Sequence, residues 1–200
     1  RIRQTYDHAR DLPIIDIFND EIYRLRIQYQ LAKEYNRKLI VPVYLFVLLK
    51  RLYQDPDLSL LGLEDISDIL VDEEVMVLSP GRKYDTRVGR QIKELFGEEP
   101  DTRQTKVIKM MLEDEAEETR VYGELPDSRI ATSDWLADIN NQSKCVLLLP
   151  RDYLAELLTI QPLANAPLIM TKPSESAVAE YKDYVYDRRW LMRNFHLNLL

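Results

Sequence analysis

Arg87, Arg90 and Lys93 recur every three residues, with Arg82 and Lys83 just upstream. On a helix this spacing places the three cations on one face, the arrangement by which a recognition helix meets the phosphates and base edges of a DNA groove. The preceding "LGLEDISDIL" reads as the first helix of a helix-turn-helix. The intervening "VDEEVMVLSPGRKY" is longer than the tight turn of the simple motif, which a winged variant over 63–97 would accommodate. Asp85, Glu94, Glu98, Glu99 and Asp101 dilute the basic field in the same region. An ordinary solvated face competes with DNA contact by the helix at 86–96.

Other side chains offer weaker chemistry. The run Glu113, Asp114, Glu115, Glu117 and Glu118 supplies the oxygen ligands that hard cations take, but without the alternating ligand loop and turning glycine of a calcium site. It reads as an acidic helix face. Glu124, Asp127, Asp134 and Lys144 follow the rough order of a metal-dependent nuclease, yet Gln142 stands where the carboxylate two residues before the lysine is needed. Cys145 opens an apolar stretch, where a thiol is a small hydrophobe, and His8 and His196 lie near opposite chain ends. Ser133 and Ser143 lack the glycine context of a nucleophile elbow. The five glycines are dispersed, with no GxGxxG and no phosphate loop. No cofactor is implied.

The closing segment, Ser174 to about Phe195, reads as a long helix rich in aromatic and guanidinium groups. Tyr184, Arg188, Arg189, Trp190 and Arg193 are the residue types enriched at protein interfaces and on single-stranded nucleic-acid platforms. These five form the expected partner-binding set.

The elements that would position these groups read mostly as helices. Ile15, Phe18, Ile22, Leu25, Tyr29 and Ala32 alternate spacings of three and four, which predicts an amphipathic helix whose opposite face carries Arg24, Arg26, Gln28, Gln30 and Lys33. The unbroken apolar run Leu39 to Leu49 is far too short to span a bilayer. With Pro42 in a first turn it predicts a fully enclosed helix, paired antiparallel with the one before it; a strand over Leu39 to Val43 is the rival. Leu63, Ile66, Ile69 and Leu70 fit a short helix, "VMVL" a strand or a helix end, and 86–96 and the segment before Glu118 two more helices. In the last third, "KCVLLLP", "RDYLAELL" and "APLIMTKP" follow one another as strand, helix and strand, predicting a parallel pair.

The fold expected is therefore α+β and predominantly α-helical, with a helical domain over 1–118 and a small α/β portion over 119–200, the two together forming one continuous domain as an alternative. The 200 residues are 46% hydrophobic and 30% charged, with a net charge of −7 and a pI near 5.0. That body repels nucleic acid except at a local basic face. A single cysteine excludes an internal disulfide framework, so a cytoplasmic setting is expected. The leading functional expectation is a non-catalytic protein-interaction or assembly subunit, binding a protein partner or itself and no membrane. DNA binding is the alternative and a metal-dependent nuclease the third.

Overall fold

The computed structural model describes Tyr6 and residues 11–17, 22–54, 65–79, 119–149, 157–162, 166–169 and 198–199. Their order is β1 (Ile14–Asp16), α1 (Ile22–Glu34), β2 (Lys38–Pro42), α2 (Val43–Gln54), α3 (Asp65–Val71) and β3 (Val75–Ser79). Residues 119–124 are helical. A 3-10 turn, Asp127–Arg129, then leads into β4 (Ile130–Thr132), α4 (Ser133–Ala137), α5 (Ile139–Gln142), β5 (Cys145–Leu149), α6 (Leu157–Ile160), β6 (Pro167–Ile169) and the two-residue β7 (Asn198–Leu199).

These strands form one sheet in the order β4-β3-β2-β5-β1-β6-β7, and every neighbouring pair is parallel. The protein is thus α/β, and the expectation of a predominantly helical α+β fold is overturned. The physical reason lies in the strands themselves. In a parallel sheet covered on both faces they are continuously apolar, and a short apolar run does not distinguish a buried strand from a buried helix. Strands β1 to β3 and strands β4 to β7 come from opposite sides of residue 118 and interleave in the same sheet.

Alternation along each strand divides the core in two. Ile15, Leu39, Val41, Val75, Val77, Val146, Leu148 and Ile169 face one layer, where they meet Leu25 and Tyr29 of α1, Leu45 and Leu49 of α2, Ile66 and Ile69 of α3, and Val121. Ile14, Ile40, Met76, Leu78, Cys145, Leu147, Leu149 and Leu168 face the other, against Leu136 of α4 and Leu157 and Ile160 of α6. Each fully buried side chain of this size contributes about 1.5–3 kcal/mol of transfer free energy. The layering also follows from crossover hand. The steps β1 to β2, β2 to β3 and β3 to β4 run one way along the sheet with their helices on the first face; β4 to β5 and β5 to β6 run the other way with theirs on the second. A constant hand requires this correspondence.

Local chemistry sets the boundaries. Asn36 adopts φ 53°, the left-handed conformation in which asparagine is tolerated. The Arg37 N–H bonds the Ala32 carbonyl at 2.8 Å and the Asn36 N–H that of Lys33 at 3.1 Å, closing α1 with a Schellman pattern. The "NRK" connection therefore delivers the chain into β2, and the antiparallel helix pair expected there is replaced by a helix followed by a strand. Both readings of the Leu39–Leu49 run hold in part: β2 occupies Lys38–Pro42, and α2 begins at Val43 directly after it. Pairing of β2 with β5 stops at Ile40, so Pro42 lies beyond the ladder on that side, where a missing N–H breaks nothing. Helix α2 is not fully enclosed; Arg51, Tyr53 and Gln54 are exposed.

The expected strands of the last third are present as β5 and β6; of the helix expected over 151–158 only the last two positions, at the start of α6, are among the described residues. The two strands are not neighbours, because β1 pairs with both and stands between them. Ile15, expected on the helical stripe, belongs instead to β1, and the helix starts at Ile22, directly after the Asn19 to Glu21 stretch that reads in the sequence as a helix start. The helices expected over 86–96, before Glu118 and from Ser174 to Phe195 lie outside the described residues. Among the described residues no helix is long and apolar enough to cross a membrane.

Candidate functional site

In an open parallel sheet the region of chemical interest is the carboxyl edge, at positions where neighbouring strands send their chains in opposite directions. Here two neighbouring pairs diverge in that sense, β2 with β5 and β1 with β6. At the first, the strand ends are apolar: Pro42 runs straight into α2, and β5 ends on Leu149. At the second, β1 ends on Asp16, level with Leu149 of β5 and on the same face as Ile14. Asp16 is 4% exposed and is the one buried carboxylate among the described residues. Removing such a group from water costs several kcal/mol without polar partners, and Asp16 is engaged in the fold rather than free.

The other buried polar groups tie elements together. Arg129, in the 3-10 turn before β4, donates from Nε to the Val75 carbonyl at 3.0 Å and from Nη1 to the Leu70 carbonyl at 2.8 Å, with its guanidinium 5.5 Å above the Phe46 ring. One side chain thus closes the end of α3, the start of β3 and the face of α2. Tyr6 donates to Gln28 Oε1 at 2.7 Å, and burial raises the Tyr6 phenol above its ordinary range despite the Arg37 charge nearby. Gln28 is only 1% exposed, so it does not belong to the polar face of α1 where its sequence position put it. Gln142 likewise donates to the Ile160 carbonyl, joining α5 to α6.

The outer face of α1 carries apolar side chains as well as polar ones. Tyr23 is 70% exposed and Ile27, one turn on, 52%. Gln30, Lys33 and Glu34 are exposed beside them, and Arg24 and Arg26 are half-buried flanks. Lys33 reaches sideways, donating to the Tyr29 hydroxyl at 3.2 Å and approaching Asp72 at 3.6 Å. The apolar pair thus stands on a polar helix face with basic flanks. Periodicity missed it because Tyr23 and Ile27 fall outside the inward stripe of spacings three and four.

The nuclease-like set does not converge. Glu124 pairs with Lys50 and with Arg120, the latter at 3.4 Å, and the Lys50 hydrogen bond holds its carboxyl below the usual range. Asp127 is exposed in the 3-10 turn. Asp134 lies in the first turn of α4, beyond the carboxyl end of β4, whereas Lys144 precedes the amino end of β5. In a parallel sheet those are opposite edges. Among the described residues no three His, Cys, Asp or Glu side chains are grouped as metal ligands. Cys145 is fully buried with its thiol pushed up to about 12 by desolvation. Ser133 is buried, and Ser143 donates to the Asn140 carbonyl.

No protein-family model, no curated protein and no solved structure matches this chain. The expected partner-binding residues Tyr184, Arg188, Arg189, Trp190 and Arg193 lie outside the described residues. So do the expected DNA-binding residues Arg82, Lys83, Arg87, Arg90 and Lys93, together with His8, His196 and the acidic run from Glu113.

Proposed function

We propose that this chain is a non-catalytic, cytoplasmic interaction subunit that holds a protein partner against the outer face of α1. The observation that supports this reading is the exposed pair Tyr23 and Ile27, one helical turn apart on a helix whose other face is committed to the core. A tyrosine and an isoleucine side by side in water retain apolar area that association would bury, and tyrosine beside arginine is the composition enriched at interface centres. The partner is a protein surface with an apolar centre; a second copy of the chain is the simplest case to test.

Light scattering across a wide concentration range, and co-purification from the native cell, would be compared for the native chain and for Tyr23→Ser with Ile27→Ser. Loss of association in the double variant supports the reading. Association that survives both substitutions, or none in the native chain, overturns it. The alternative, DNA contact through Arg82, Lys83, Arg87, Arg90 and Lys93, rests on sequence alone, and a salt-dependent mobility shift abolished by Arg87→Ala with Arg90→Ala would favour it.

A further inference from the structure

We draw no further inference here: the strongest candidate, the buried carboxylate of Asp16 at the carboxyl end of β1 beside its divergence from β6, is a single acidic side chain already engaged within the fold, and the segments that continue from β1, β5 and β6 past that edge lie outside the described residues.

Discussion

The Tyr29 hydroxyl donates to Asp72 Oδ2 across 2.7 Å, joining the middle of α1 to the turn that opens β3. Two groups respond to this contact in opposite senses. Burial, and then the bond to Asp72, raise the Tyr29 phenol above its ordinary value. Partial burial pushes the Asp72 carboxyl up, but the Glu74 N–H, the Tyr29 hydroxyl and Lys33 together hold it below its ordinary value.

Their pH dependences follow by linkage. The Asp72 contribution is fully present above the unfolded carboxylate range and is lost as pH falls through its lower folded value. The Tyr29 contribution is present below the unfolded phenol range and is lost as pH rises through its higher folded value. Tyr29→Phe removes two hydrogen bonds, the one donated to Asp72 and the one accepted from Lys33, each worth about 0.5–1.5 kcal/mol near neutrality. Urea unfolding of the native chain and of Tyr29→Phe at neutral pH and near pH 2 checks the acid limb: the stability difference between them narrows in acid. A difference independent of pH contradicts the assignment.

Arg129 bonds two carbonyls from separate elements, so Arg129→Met, close in volume but without the donors, strips both at once. Hydrogen bonds from a charged donor are worth about 1.5–3 kcal/mol each, and some of that returns because the methionine avoids burying a charge. The expected loss is about 2–4 kcal/mol, which at a urea slope of about 2 kcal/mol/M moves the midpoint by about 1–2 M. A midpoint unchanged within a few tenths of a molar would show that the clamp contributes nothing.

Cys145 pairs with Lys38 of β2 within the sheet and is fully buried. At pH 8 its thiol stays protonated in the folded chain and should resist an aromatic disulfide reagent. In denaturing urea it should react within the ordinary time for a free thiol. Rapid reaction under native conditions would mean that β5 opens readily at its amino end.

Tyr23 and Ile27 are both exposed, and substitutions at exposed positions usually change stability by no more than about 0.5 kcal/mol each. Thermal unfolding should therefore be nearly unchanged while association is lost. A large fall in stability would place the pair in the fold rather than at a docking surface.

The residues themselves determined much of this molecule. The apolar segments Leu39–Leu49, Val75–Leu78, Cys145–Leu149 and Pro167–Ile169 are legible as buried material, and "NRK" after α1 marks a stop that Asn36 carries out through its backbone conformation. Which of those segments are strands, and which strands are neighbours, was decided by tertiary structure. Strand pairing uses backbone N–H and C=O groups that nearly every residue carries, so nothing in the side chains of β1 announces that it will sit between β5 and β6. The same placement carries Asp16 to the sheet's carboxyl edge and buries it. Gln28 and Ile27, adjacent in the chain, illustrate the other half of this lesson. Polarity alone would put glutamine outside and isoleucine inside. The Tyr6 hydroxyl supplies the bond that lets Gln28 be buried, and the rotation of α1 on the sheet leaves Ile27 in water.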